Sequence, residues 1–108
     1  MVREFAAACA RGDVSAAERL LHPDAAAVCD GFPIPVGSGA AEVARLAVLL
    51  LSGQPGTALT VGSVNGEPGM VLRRGGRAVT IAVVTAEDGR IAVLWFVLAP
   101  EKSTSWNR

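Results

Sequence analysis

Three dipeptides, Asn65-Gly66, Gly75-Gly76 and Asp88-Gly89, divide the second half of this chain into short apolar runs. Each is a two-residue hairpin turn by composition, because these pairs tolerate the positive φ that tight β-hairpins require. The runs between them, 57–64, 68–74, 77–87 and 90–98, are rich in Val, Ala, Leu and Thr. The pattern predicts a four-stranded antiparallel meander. A two-residue turn also sets register. Counting outward pairs Leu59 with Leu72 and Val61 with Met70 across the first turn. The second pairs Leu72 with Val79 and Met70 with Ile81; the third pairs Ile81 with Phe96 and Val83 with Leu94. One face then holds Leu59, Val61, Met70, Leu72, Val79, Ile81, Val83, Leu94, Phe96 and Leu98. The other holds Val71, Arg73, Thr80, Ala82, Val84, Val93, Trp95 and Val97.

The first half reads as helical. Val2, Phe5, Ala6, Cys9 and Ala10 recur at helical spacing, and Gly12 stops that helix. Asp13 can cap a second helix carrying Ala17, Leu20 and Leu21, which His22-Pro23-Asp24 ends. Residues 25–29 form a short apolar strand. Phe32-Pro33-Ile34-Pro35 is an extended edge or loop, since two prolines remove ladder donors. Ser38 caps a third helix over 39–51, with Val43, Leu46, Ala47 and Leu50 as its buried stripe.

At 108 residues the chain is one domain, 1–108. Its 51% hydrophobic content is high for a monomer of this size, and the second sheet face is mostly apolar. A homodimer through Val84, Val93, Trp95 and Val97 is therefore expected, with a folded-back tail carrying Trp106 as the alternative cover. Ten basic and ten acidic residues leave no electrostatic footprint for nucleic acid. No segment is long enough to span a bilayer or has the form of an export signal. Cys9 and Cys29 lack neighbours at metal spacing and read as small buried apolar residues, so no metal, no cofactor and a cytoplasmic setting are expected.

The order of these features resembles a known family. Gly12-Asp13 before a helix, the strand to Asp30-Gly31, then Val64-Asn65-Gly66-Glu67-Pro68-Gly69 and Asp88-Gly89-Arg90-Ile91 look like the SnoaL-like domain of the nuclear transport factor 2-like superfamily. The likeness is nearest to the version at the C-terminus of some extracytoplasmic-function sigma factors. It covers about Glu4 to Lys102. Where those relatives end in Asn-Pro-Asp-Lys-Leu, this chain reads Ala99-Pro100-Glu101-Lys102-Ser103. The family's Gly-rich, lysine-containing segment after Asp-Gly is replaced by Phe32-Pro33-Ile34-Pro35. No promoter-reading helices precede the domain, so a stand-alone relative or a piece of a longer protein is expected.

The resemblance implies an α+β, cystatin-like cone: three N-terminal helices against a curved antiparallel four-stranded meander plus a short strand. It also implies two functional readings. One is a non-catalytic ligand-binding or regulatory module. Its pocket would be lined by Val61, Met70, Ile81, Val83, Leu94 and Phe96, and its partners would be a small apolar ligand or a transcription-machinery protein. The alternative is a small isomerase, cyclase or hydrolase acting on an apolar substrate. Such chemistry needs an acid or base whose pKa an apolar cone can tune. The face assigned to the cone has no ionisable residue, and the chain has no Tyr. Asp30 is the candidate base, although Asp-Gly also fits an Asx-type turn. His22 could relay protons, although it also fits a helix-end cap. Asn65 could donate to a ligand carbonyl, although Asn-Gly also supplies positive φ.

Overall fold

The computed structural model describes residues 1–32, 34–52 and 55–98. The motif at Ala99 to Ser103 and Trp106 lie outside them. The elements are α1 (Val2–Arg11), α2 (Val14–Arg19), β1 (Leu21–Cys29), β2 (Gly37–Ser38), α3 (Ala40–Leu51), β3 (Thr57–Val64), β4 (Glu67–Arg74), β5 (Arg77–Glu87) and β6 (Arg90–Leu98). No helix among the described residues is long and apolar enough to cross a membrane.

Local chemistry sets the helix ends. Gly12 takes the left-handed conformation after α1, and its N–H donates to the carbonyls of Ala8 and Cys9. Asp13 caps α2 as expected, its Oδ1 accepting the Ala16 N–H at 3.0 Å. That bond and the Arg11 guanidinium hold the Asp13 carboxyl below its ordinary range. Helix α2 stops at Arg19, two residues earlier than expected, because Leu21 is needed elsewhere. It is buried as the first residue of β1, beside Ile91 of β6. Ser38 does not cap α3. It sits in β2, its N–H donating to Glu42 Oε1, and Gly39 at φ 89° is the N-cap.

The strands form one six-stranded mixed sheet in the order β2-β1-β6-β5-β4-β3. All three hairpin turns have both central residues at positive φ: Asn65 and Gly66, Gly75 and Gly76, Asp88 and Gly89. The meander is therefore the one the dipeptides specify. Strand β1 adds to its far edge parallel to β6, and β2 pairs outside β1.

The register departs from simple counting in two hairpins. Across β3 and β4, Leu59 faces Leu72 and Val61 faces Met70, as expected. Between β4 and β5 the ladder slips one residue after Arg73–Ala78, so Met70 faces Ala82, not Ile81. Between β5 and β6 it slips again after Ala86–Ile91, so Val84, not Val83, faces Leu94, and Ile81 faces Val97. These are β-bulges, with Val79 and Ala92 as the extra residues. They add twist and bend the sheet around the helices. Each slip moves the middle of β5 to the opposite face.

Corrections follow from that slip. Ile81 and Val83, expected inside, lie on the outer face; Ala82 and Val84, expected outside, lie in the core. The core packs Phe5, Ala8 and Cys9 of α1 and Val43, Ala44, Ala47 and Leu51 of α3 onto Met70, Leu72, Ala82, Val84, Leu94 and Phe96. Its many alanines let helices and sheet approach closely. Both cysteines are free and buried, and burial pushes the Cys9 thiol up to about 12.

Candidate functional site

Among the described residues, the inner sheet face packs directly against the helices. Met70, Leu94 and Phe96 are fully buried against α1 and α3, so they are core rather than pocket lining. Val61 is on the exposed part of β3. Among the described residues the only buried polar side chain is that of Thr80, and no ionisable side chain but the two thiols is buried. The three acid–base candidates all lie outside. Asn65 is exposed in its turn at φ 51°. His22 is half-buried at the start of β1, its Nδ1 accepting the Asp24 N–H at 3.0 Å. Asp30 is exposed just past β1, its own N–H donating to the Phe96 carbonyl at 2.8 Å. The turn after it is closed by the Phe32 N–H on the Cys29 carbonyl, with Gly31 at φ 88°, and not by the Asp30 side chain.

The outer face is where the sequence candidates converge. Its side chains run in rows across the sheet: Ala26, Val93 and Thr85; then Val28, Trp95, Val83, Gly69 and Gly62; then Val97, Ile81, Val71 and Thr60. Ile81 and Val97 are buried within a single chain, while Trp95 is 46% exposed. Asp30 follows Val28 by two residues and so rises on this same face. Asp30, Val83, Thr85, Val93 and Trp95 together line a concavity of about 220 Å³. By sequence the two stand apart, Asp30 as a candidate base at the end of the first strand and Trp95 as an interface residue. The parallel pairing of β1 with β6 joins them. Of the four interface residues expected, Val84 is in the core and Val97 is buried, which leaves Trp95 and half-buried Val93 accessible.

Two further groupings went unread in the sequence. A groove of about 520 Å³ runs between α2, the start of β1 and the head of α3, lined by Ser15, Glu18, Arg19, Leu21, Pro23, Ala40 and Arg90. Beside β1, His22 meets Glu87 and Asp88 with ligand atoms within 4.8 Å of one another, a set able in principle to hold a cation. The Asp24 N–H on Nδ1 places the neutral ring's proton on Nε2, which opposes ligation through that nitrogen. The signal that could have joined these residues, a parallel β1–β6 ladder, has no local sequence mark.

The architecture and its neighbours define the class: this is the nuclear transport factor 2-like, or cystatin-like, fold. Within it, the chain is similar to the extracytoplasmic function sigma factor SigJ of Mycobacterium tuberculosis. The two are 27% identical over 96% of this chain and 42% of SigJ, with a TM-score of 0.62. The chain thus spans less than half of that protein. A cystatin-like-fold protein from Silicibacter pomeroyi matches at 17% identity over 99% of this chain and 79% of its own, TM-score 0.66. A steroid delta-isomerase from Pseudomonas aeruginosa matches at 24% identity over 96% and 81%, TM-score 0.62. These last two likenesses speak for the fold alone. No family model and no curated protein matches the chain.

Proposed function

We propose that this domain is a non-catalytic regulatory and ligand-binding module that works through its outer sheet face. The observation that carries the reading is the apolar character of the described interior. Acid–base chemistry on an apolar substrate needs an ionisable group held in a desolvated cavity, where its pKa is tuned. Here the described core holds apolar side chains, two thiols and Thr80, while Asp30 and Asn65 are exposed and His22 is half-buried outside that core. The likeness to SigJ supports a role beside the transcription machinery, as a domain that modulates an attached or neighbouring factor.

The test is a domain exchange. Replacing the matching region of SigJ with this chain should restore promoter-dependent transcription in vitro relative to a SigJ lacking that region. Output no better than the truncated factor would refute the regulatory role. A parallel assay offers a β,γ-unsaturated 3-ketosteroid to the purified domain. No isomerisation is expected, and turnover lost in Asp30→Asn would establish an enzyme instead.

A further inference from the structure

The concavity beside Trp95 has a chemistry the fold does not account for. The half-exposed Trp95, Val83 and Val93 give it an apolar lining, and among the described residues its polar groups are the Thr85 hydroxyl and the Asp30 carboxylate. Among the described residues, no basic side chain lines it. Among the described residues, no hydrogen bond or ion pair engages the Asp30 carboxylate. The structure thus places an unpaired negative charge at the rim of an apolar concavity with an aromatic face.

We propose that this concavity binds a small organic cation, an ammonium group carried on an apolar or aromatic body. The proposal rests on the reading of the outer face as the working face, and it names the ligand class for it. Both polar features favour positive charge. A carboxylate attracts an ammonium by charge and by a charge-assisted hydrogen bond, and the indole face attracts the same cation through its quadrupole. A neutral apolar ligand would strip water from the carboxylate without replacing it, and an anion would add repulsion. The size also fits. A volume of about 220 Å³ equals roughly seven waters' share of liquid, the bulk of one aromatic ring with a short amine arm. Thr85, opposite Val93 on the same face, offers a hydroxyl acceptor for a second ammonium hydrogen.

The experiment titrates the whole chain with three probes of one shape: phenethylammonium, 2-phenylethanol and phenylacetate. Binding is read from the Trp95 indole N–H resonance and from its fluorescence in a Trp106→Phe background. Saturable binding of phenethylammonium is expected, with the alcohol and the acid each weaker by about tenfold or more. Asp30→Asn should bring phenethylammonium down to the alcohol's level, and Trp95→Leu, which removes the reporter and is followed by titration calorimetry beside the wild type, should weaken it severalfold, with unchanged circular dichroism in both. Equal binding of the alcohol, indifference to Asp30→Asn, or no saturable shift overturns the proposal. Sedimentation in the same samples separates the occupants: a dimer whose interface protects the Trp95 indole and excludes the amine also overturns it. The SigJ exchange is read independently, so success there with failure here removes the ligand class and leaves the regulatory role standing.

Discussion

Gly62 and Gly69 face each other across the β3–β4 hairpin, and they give the sharpest test of the packing on the outer face. Neither has positive φ, so neither is glycine for conformational reasons. At Gly62 an added Cβ meets nothing within 4 Å. At Gly69 it would sit 2.7 Å from the Ala82 carbonyl oxygen and 3.0 Å from Cγ2 of Val64. Val64 can rotate away, but the Ala82 carbonyl is backbone of β5 and moves only with the strand. Overpacking of this kind costs about 1–3 kcal/mol. Replacing glycine by alanine returns about 0.4–1 kcal/mol by restricting the unfolded chain. Gly69→Ala should therefore lose about 1–2 kcal/mol net. For a domain of this size that lowers Tm by roughly 5–15 °C. Gly62→Ala should be neutral or gain up to about 1 kcal/mol. Urea melts followed by circular dichroism measure both. Adding Val64→Ala to Gly69→Ala should not restore stability, because the closer contact remains. If Gly69→Ala matches the wild type, or the two alanines shift stability alike, the close approach of β4 to β5 is wrong.

Other outcomes test the remaining parts of the structure. Val84→Thr places a hydroxyl in the core and should cost about 1–3 kcal/mol, whereas Val83→Thr on the outer face should be near neutral; an uninterrupted hairpin register predicts the reverse order in urea melts. Cys9, with its thiol pushed up to about 12, should resist an aromatic disulfide reagent at pH 8 in the native protein and react on unfolding; rapid native labelling would place it at the surface. Asp13 has a folded-state pKa below its unfolded value, so its contribution is present above the unfolded pKa and is lost as pH falls through the folded one. Asp13→Ala should accordingly flatten the acid limb of stability measured by thermal melts below about pH 4. Trp95→Asp should leave a monomer monomeric by sedimentation but split a dimer built on this face.

The hairpins were legible because their turns are chemical necessities: Asn, Asp and Gly at positive φ leave few alternatives. The bulges at Val79 and Ala92 were not. From Val79 through Val84 both faces of β5 are apolar but for Thr80, which the slip buries, so the hydrophobic pattern hardly distinguishes the two registers. The same ambiguity misplaced Ile81, Val83 and Val84. The meeting of Asp30 with Trp95 was hidden for another reason. It depends on which strand β1 joins and in which direction, and nothing local to residues 21–30 encodes that choice. The stretch from Val64 to Gly69 now has a physical account. The two central residues make the turn, and Val64 lies against the space that Gly69 leaves open.

The pairing of β1 with β6 has a consequence for how the chain is made. Leu21 and Ile91 are neighbours in the sheet and seventy positions apart in sequence. The meander can zip turn by turn, but β1, paired on one side only with the two residues of β2, has no neighbour on its other side until β6 exists. On a ribosome, the β6-facing backbone edge of β1 would wait unpaired while everything up to residue 98 is synthesised and cleared from the exit tunnel. Closing so long a loop is a slow kind of step in folding. The final apolar strand therefore acts as a late lock, and an interruption anywhere in 90–98 would leave an open sheet edge for other chains to find.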